Sequence, residues 1–205
     1  MVYDVADKAV ARMNKRNLKA FDRLKLMASD ELNLIRSVRA VYNEASRMAI
    51  NEYVGIAVWA FAEAMVMAGT PRARAEALAR RRMTRDWLME YLEEVDPVML
   101  CRFTTETERR SQRLAEAVEI EAVRQAEIEL ALRSWTAMIG QYAIGVVDRA
   151  MIDGFAAAGV RKVRWNTEKD ERVCHVCQEL DGKVFSVYHV PPKQHRNCRC
   201  WISPA

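Results

Sequence analysis

The residues most able to do chemistry in this chain lie near its carboxyl end, which holds four of the five cysteines and all three histidines. Cys174 and Cys177 form a Cys-x-x-Cys sequence, which directs two sulfur atoms to one point and is the usual first half of a tetrahedral zinc site. His195, Cys198 and Cys200 offer three ligands for the two remaining places. The twenty residues between Cys177 and Cys198 match the spacing of zinc ribbons. The sequence predicts a metal site of Cys174, Cys177 and Cys198, completed by either His195 or Cys200.

Disulfide bonds are the alternative use of these cysteines. Bridges within Cys174–Cys177 and Cys198–Cys200 would close very small, strained rings. The amino-terminal sequence is charged from Asp4 onward and lacks the pattern of a secretory signal peptide. Clustered cysteines outside an oxidising compartment more often bind metal, so the sequence favours the metal.

The pattern also indicates a structural rather than a catalytic zinc. A catalytic zinc keeps one open position and needs a general base nearby. The sequence contains neither a His-Glu-x-x-His helix nor a His-x-Glu pair of the deaminase type. Five ligands can close the site by themselves, with His175 and His189 as weaker candidates. We therefore expect no enzyme, and a zinc ion whose binding energy folds a tail too small to build its own core.

The residues around the cysteines form a longer pattern. The motifs come in the order Trp165-Asn166-Thr167, Asp170, Cys174-x-x-Cys177, Leu180-Asp181-Gly182-Lys183-Val184-Phe185, Pro191-Pro192, His195-x-x-Cys198-Arg199-Cys200 and Trp201-Ile202. This order resembles the carboxyl-terminal domain of the phage head morphogenesis family, the Mu F-like minor head proteins, over residues 160–205. The resemblance implies a non-enzymatic minor capsid protein of a tailed phage.

The same resemblance implies partners and a location. Such a protein is associated with the portal or the major capsid protein, is oligomeric in the particle, and acts in head assembly, DNA packaging or DNA ejection. Its place is the virion, in the head near the portal vertex, after assembly in the host cytoplasm.

Composition and charge are typical of a folded protein with basic ends. Half of the residues are hydrophobic, which excludes general disorder. Residues 1–28 hold seven basic and three acidic side chains, residues 160–205 hold nine and five, and the middle holds sixteen and twenty. Basic ends favour non-specific contact with DNA or with an acidic protein surface, although solvation and self-association explain them equally well. We expect no membrane span, because the longest apolar run, residues 54–68, is short and contains Glu63.

A second hypothesis is a zinc-containing nucleic-acid-binding protein with the basic tail as its reading surface. The sequence favours the head protein, because no recognition helix accompanies the basic residues of the tail.

Hydrophobic spacing predicts four helices ahead of the tail. They cover residues 2–27, 31–68, 71–94 and 105–158. Ser29 or Asp30 is expected to cap the second helix, and Gly69-Thr70-Pro71 to end it and begin the third. The first helix has a thin apolar stripe, so we expect it to order only against a partner.

The third helix carries six arginines between Arg72 and Arg85, of which Arg74, Arg81 and Arg85 share one face. Such a face could bind phosphate or a carboxylate cluster of the portal. The more common interpretation is a solvated face that is paired with neighbouring acids, and we favour it.

The fourth helix is expected to begin at a capping box, Thr105-x-x-Glu108, and to run unbroken for about 80 Å. Its apolar residues step by four and three, which is typical of a coiled-coil-like seam. The seam residues are Ile128, Leu132, Trp135, Ile139, Tyr142 and Val146. We expect either the second helix or a partner protein to cover this seam. The apolar end of the second helix is interpreted as core, with a docking face for another subunit as the alternative; its large residues are Trp59, Phe61, Met65 and Met67.

The tail has the period of strands. Short strands are predicted at residues 160–165, 183–185 and 199–202, with Asp181-Gly182 as a hairpin turn. The predicted fold is mainly α, an elongated helical hairpin or bundle over residues 1–159, followed by a small zinc-bound β module over residues 160–205.

Overall fold

The computed structural model describes residues 2–26, 31–168 and 173–205. Its helices are α1 (Asp4–Leu26), α2 (Glu31–Met67), α3 (Arg72–Arg82), α4 (Arg85–Glu93), α5 (Phe103–Ala117), α6 (Arg124–Ala157) and α7 (His175–Leu180). Its strands are β1 (Lys162–Asn166), β2 (Val184–Ser186) and β3 (Trp201–Pro204). The prediction of a mainly helical protein with a small sheet near the carboxyl end is confirmed. The expected cap at Ser29 or Asp30, and Asp170 of the tail pattern, lie outside the described residues.

The core is centred on α2 and α6, which pack along one another. The predicted seam of α6 faces this core: five of its six residues are buried and Leu132 is half-buried. Tyr42 of α2 packs edge-on against Trp135, with ring centroids 5.4 Å apart. Tyr53 of α2 donates a hydrogen bond of 2.7 Å to the carbonyl of Ile139. The seam is therefore covered within the chain, and burying it requires no partner protein.

One glycine sets the closest approach of the two central helices. A Cβ atom at Gly154 would lie 2.5 Å from the carbonyl oxygen of Phe61 and 2.9 Å from the Cβ of Ala64. No other residue type fits there without movement of the α2 backbone. Small residues thus let α2 and α6 approach closely where the aromatic part of the core ends.

The expectation of one helix over residues 71–94 is wrong, because two helices, α3 and α4, occupy this stretch. Met83 is buried at the junction. Thr84 has an extended backbone, and its side chain accepts a hydrogen bond of 3.3 Å from the amide of Trp87. A threonine that satisfies a free amide in this way begins a new helix. The boundary at Gly69 is confirmed: Gly69 has a φ of +89°, and the amide of Thr70 bonds to the carbonyl of Met65 at 2.9 Å.

The expected unbroken helix over residues 105–158 is also wrong. It is an antiparallel pair, α5 and α6, joined by a 3-10 helix at Glu121–Val123. The capping box at Thr105 is not used, because α5 already begins at Phe103. The break contains neither glycine nor proline. Instead, the buried Arg124 donates from Nε to the carbonyl of Val118 at 2.7 Å, which satisfies an acceptor at the end of α5.

The expectation that α1 orders only against a partner protein is wrong. The helix packs on α2 and α6 of its own chain. Ala6, Ala9 and Met13 are buried together with Phe21, whereas Leu18 is 48% exposed. Alanines complete the apolar stripe of α1 because the neighbouring helices come close.

The apolar end of α2 belongs largely to the core. Phe61 and Met65 are buried, Trp59 is half-buried, and Met67 is 37% exposed. By length and composition alone, Asn33–Met67 could cross a membrane, but half of its most apolar window is buried inside the protein. Core helices of soluble proteins pass the same test, so this finding carries little weight for a membrane span.

The predicted strands form an antiparallel sheet in the order β2-β1-β3. Val163 and Trp165 of β1 are buried and Trp165 is paired with the buried Ile202 of β3. The predicted hairpin at Asp181-Gly182 is corrected: these residues connect α7 to β2. Gly182 has a φ of +75°, and its amide donates to the carbonyl of Trp165 at 2.8 Å.

Candidate metal centre

The first half of the candidate site is built at the start of α7. Cys174 has an extended backbone at the amino-terminal cap of this six-residue helix, and its Sγ accepts a hydrogen bond from the amide of Cys177 at 3.4 Å. Cys177 lies in the first turn and is buried. The capping geometry therefore turns both sulfur atoms toward the same side.

The second half comes from the loop between β2 and β3. His195 and Cys198 lie in this loop, and Cys200 directly precedes β3. Between them, Asn197 takes a left-handed conformation with a φ of +58°, which asparagine tolerates better than most residues. Its amide donates to the side-chain oxygen of Gln141 in α6 at 3.0 Å. The turn that presents these ligands is thus fixed by a buried residue of the central helix.

The structure brings all five predicted ligands together in two overlapping triplets. Within each triplet the ligand atoms lie within 4.8 Å of one another; the triplets are Cys174, Cys177, His195 and Cys177, Cys198, Cys200. The Sγ of Cys177, which both triplets share, lies 3.6 Å from Nε2 of His195 and 3.6 Å from Sγ of Cys198.

These separations fit a tetrahedral metal with soft ligands. Zinc–sulfur bonds of about 2.3 Å place two tetrahedral sulfur ligands roughly 3.8 Å apart. Thiolate and imidazole are ligands that zinc prefers. All five cysteines of the chain are free thiols. The weaker candidates, His175 and His189, belong to neither triplet; the His175 side chain is 82% exposed and lies 3.5 Å from Glu179.

The cysteines perturb one another's acidity. A hydrogen bond from Cys200 lowers the pKa of Cys198 to about 5, and the amide of Cys177 lowers the pKa of Cys174. Burial raises the pKa of Cys177 to about 12, and donation to Cys198 raises the pKa of Cys200. The hydrogen bond to the carbonyl of Arg196 raises the pKa of His195. When neighbouring thiols share protons, the pKa of one is lowered and the pKa of the other is raised. A divalent cation bound between these thiols would replace the shared protons.

A cavity of about 420 Å³ adjoins the cluster. Asp4, Asp7 and Glu168 contribute carboxylates to its wall. Asp7 is already engaged, because both of its oxygens accept hydrogen bonds from Arg199, at 2.9 and 3.0 Å. This pair ties α1 to the segment that carries Cys198 and Cys200.

A second set of contacts, which the sequence did not predict, joins the cluster to the helices. The hydroxyl of Tyr3 donates to Asp148 of α6 at 2.6 Å and also lies 2.8 Å from the carbonyl of Cys200. The ammonium of Lys193 lies 2.6 Å from this hydroxyl and 3.3 Å from Asp148, and it bonds to the same carbonyl. The same ammonium lies 5.3 Å from the ring centre of Trp165.

The polar residues of this set are poorly exposed. Burial raises the pKa of Asp148, and burial together with Asp148 raises the pKa of Tyr3. The only signal in the sequence was a carboxylate, Asp148, within the apolar stretch of α6. Because the loop of the cluster rests on this network, the candidate metal centre is docked on α1 and α6.

One comparison with known proteins gives a match. Residues 151–203 match the family model described as Phage Mu protein F like protein. No curated protein and no solved structure matches the chain. The match begins inside α6 and covers the sheet, α7 and all five candidate ligands. The division of the chain at residue 160 stays a prediction.

Proposed function

We propose that the chain is a non-enzymatic minor head protein of a tailed phage, because residues 151–203 match the Phage Mu protein F like family, which indicates a phage head protein. It associates with the portal or the major capsid protein as an oligomeric part of the particle. The protein is located in the phage head near the portal vertex. The head that contains it assembles in the host cytoplasm. The work of the protein is head morphogenesis, DNA packaging or DNA ejection.

The candidate ligands hold a structural zinc ion in this proposal. Cys177 and the four candidate ligands around it can fill a tetrahedral shell without leaving a position for substrate. The module around them is small and has only one short helix among its described residues. Metal binding would supply folding energy that such a module lacks. The role of the cluster is then to hold the loop of His195 and the start of α7 in one rigid unit.

The basic tail is a weak candidate for reading nucleic acid, because several of its cations are already used inside the chain. Arg199 is paired with Asp7. Arg164 donates to the carbonyl of Gly182 at 3.0 Å. The half-buried Lys193 is engaged in the network with Asp148 and Tyr3. These contacts favour a head protein with a docked module over a protein whose tail reads a base sequence.

The contact with portal or capsid must use a surface other than the seam, which α2 covers. Apolar side chains that remain in solvent are the remaining candidates. Leu100 is 78% exposed at the tip of the loop between α4 and α5, and Ile120 is 60% exposed in the turn before α6. Exposed residues of this kind, when clustered, are typical of protein interfaces.

The proposal is tested by co-expressing the chain with its cognate portal and head proteins and isolating the assembled heads. We expect the chain to co-purify with the portal and to be present in heads. Cys177→Ser removes the ligand that both triplets share, so it should abolish incorporation. Cys101→Ser, which lies outside the cluster, is the matched control and should be incorporated normally. A chain that stays monomeric and is absent from heads assembled in its presence would overturn the proposal.

A further inference from the structure

The exposed face of α3 concentrates positive charge. Residues 72–85 contain six arginines and one glutamate, and all six arginines are exposed. The helix rests on α2 through two buried alanines, Ala75 and Ala79. Because the buried side is so narrow, the arginines occupy most of the remaining circumference.

Few carboxylates neutralise this charge. Arg72 pairs with Glu63 at 3.1 Å, and Arg80 pairs with Glu76 at a loose 3.9 Å. Arg85 contacts only the neutral amide of Asn51. Among the described residues, no ion pair joins the other three arginines to a carboxylate; they are Arg74, Arg81 and Arg82. The expectation that neighbouring acids pair this face is therefore correct for only a minority of its arginines.

The surroundings of these arginines differ from a protein-docking surface. The apolar residues exposed on α3 are alanines, Ala73 and Ala77. The centre of a protein interface is usually rich in aromatic and large aliphatic side chains and poor in charge. A surface of arginines and alanines has nothing to bury against a protein partner, but its guanidinium groups match phosphate oxygens.

Arg82, at the end of α3, also lines an open cleft of about 630 Å³ between the helices and the tail. The cleft is lined on its rim by Arg82 and Tyr188, and Tyr188 is 76% exposed. Asp153 also faces the cleft, where it accepts a hydrogen bond of 2.9 Å from the indole of Trp87. A bound anion would therefore lie at the rim, away from this carboxylate.

The backbone of Arg161 lies close to the segment that carries Tyr188. The residue is exposed, and its carbonyl accepts a hydrogen bond of 3.1 Å from the amide of Val187, the neighbour of Tyr188. The tail thus holds the backbone of one exposed basic residue next to the segment of Tyr188.

We propose that the arginine face of α3, together with Arg82 and Tyr188 at the neighbouring cleft, binds the phosphate backbone of nucleic acid. The eleven residues of α3 span about 16 Å. A duplex of this length carries roughly nine phosphate charges, which is more than the number of arginines on the helix. Binding is independent of base sequence, because contacts to phosphate oxygens carry no sequence information. That the ligand is the double-stranded DNA of the head rests on the proposed function.

The test measures binding of the full chain to a labelled duplex of about 30 base pairs over a series of salt concentrations. In the variant Arg74→Gln, Arg81→Gln, Arg82→Gln, we expect the affinity to fall by about tenfold or more and the slope of log affinity against log salt to decrease by about three. All three side chains are exposed and form no ion pair with the part of the chain that the structure describes, so the thermal unfolding midpoint should not change.

The matched control removes three positive charges from another exposed basic helix, in the variant Lys15→Gln, Arg16→Gln, Lys19→Gln of α1. It should reduce affinity much less than the α3 variant. Equal losses in both variants would mean that net charge alone attracts DNA, and this would overturn the proposal. Absence of binding by the unmodified chain at low salt would also overturn it.

A single strand of the same length separates two uses of Tyr188. If its hydroxyl donates to phosphate, Tyr188→Phe weakens duplex binding as much as Tyr188→Ala does. If the ring stacks on a base, Tyr188→Phe binds single strands normally and only Tyr188→Ala loses affinity. Both results support the site and identify the form of nucleic acid. No effect of either change would remove the cleft from the site.

Failure of this proposal is distinguishable from failure of the proposed function. Entry of the unmodified chain into heads without any DNA binding would defeat the α3 site alone. DNA binding through α3 by a chain that never enters heads would defeat the head-protein function alone.

Discussion

The helical part of this protein and its carboxyl-terminal module reach a fixed structure by different means. The helices surround an aromatic core in which Tyr42 and Phe103 pack against Trp135, and Tyr142 packs against Phe103. Among its described residues, the module buries few apolar side chains, namely Val163, Trp165, Val187, Ile202 and three cysteines. Apolar burial stabilises in proportion to area, and a module of this size has too little of it. Loss of metal should therefore affect the two regions very unequally.

The largest expected effect is the loss of Cys177. Cys177→Ser removes the atom common to both triplets, so the bound metal should fall from one ion per chain to none. Structural zinc contributes on the order of 10 kcal/mol to folding in small domains, so the module should unfold while the helices persist. Elemental analysis measures the metal, circular dichroism the helices, and limited proteolysis should show new cleavage near residue 160.

Cys174→Ser and Cys198→Ser should act in the same direction, and Cys101→Ser should leave metal content and proteolysis unchanged. Collapse of the entire helical signal in Cys177→Ser would break the comparison, because the two regions would then fold as one unit. A metal-free chain with all cysteines reduced and the module still folded would contradict the zinc site itself.

The sequence predicted those parts of the fold that have local causes. Gly69 ended α2 as expected, because a left-handed helix end favours glycine. The alternation of Val163 and Trp165 predicted β1, and the spacing of the cysteines and His195 brought five candidate ligands to one place; that they bind a metal stays a prediction.

The wrong predictions concern features that depend on contacts outside the local sequence pattern. The break before α6 depends on Arg124 bonding to the carbonyl of Val118, and no turn residue announces it. The buried alanines of α1 were overlooked because their burial depends on how close α2 and α6 come. The network of Tyr3, Asp148 and Lys193 joins residues up to 190 positions apart, and no local pattern in the sequence predicts such contacts.

The second effect concerns a charge buried among the helices. The carboxylate of Glu106, a residue that is 4% exposed, accepts two hydrogen bonds from Arg109 and lies 2.7 Å from Arg110. Glu106→Gln leaves the largely buried Arg110 without its counter-charge, and should lower the free energy of unfolding of the helical part by about 3 kcal/mol. Denaturant unfolding followed by the helical signal measures this loss.

The interaction of Glu106 with Arg109 and Arg110 also makes the stability of the helical part depend on pH. The hydrogen bonds from Arg109, assisted by Arg110, lower the pKa of Glu106. Its stabilisation is therefore complete above the pKa of a glutamate in the unfolded chain, about 4.3, and is lost as the pH falls through the lower folded-state value. The difference in stability between the two proteins should shrink over this acidic range. A difference that is constant with pH would mean that shape, rather than charge, explains the loss.

A smaller effect is expected where α2 and α6 approach most closely. Gly154→Ala places a methyl group against the backbone of Phe61 and should cost about 1–3 kcal/mol. Gly140 in the same helix has nothing within 4 Å of the added carbon, so Gly140→Ala should instead stabilise by about 0.5–1 kcal/mol. Thermal unfolding of both variants checks the prediction. Equal shifts in the two variants would mean that the helices do not approach as closely as described.

The smallest effect is expected at the surface contact that joins the two regions, the pair of Arg199 and Asp7. Its geometry is good, with two hydrogen bonds of 2.9 and 3.0 Å. However, the two side chains are 45% and 52% exposed, and water and salt weaken ion pairs of this kind. A double-mutant cycle of Arg199→Ala and Asp7→Ala on the metal-loaded protein should give a coupling below about 1 kcal/mol. It should decrease further in high salt. A salt-independent coupling of about 2 kcal/mol or more would instead make this pair a main source of docking between module and helices. The two regions would then share their stability, rather than each depending on its own core or its own ligands.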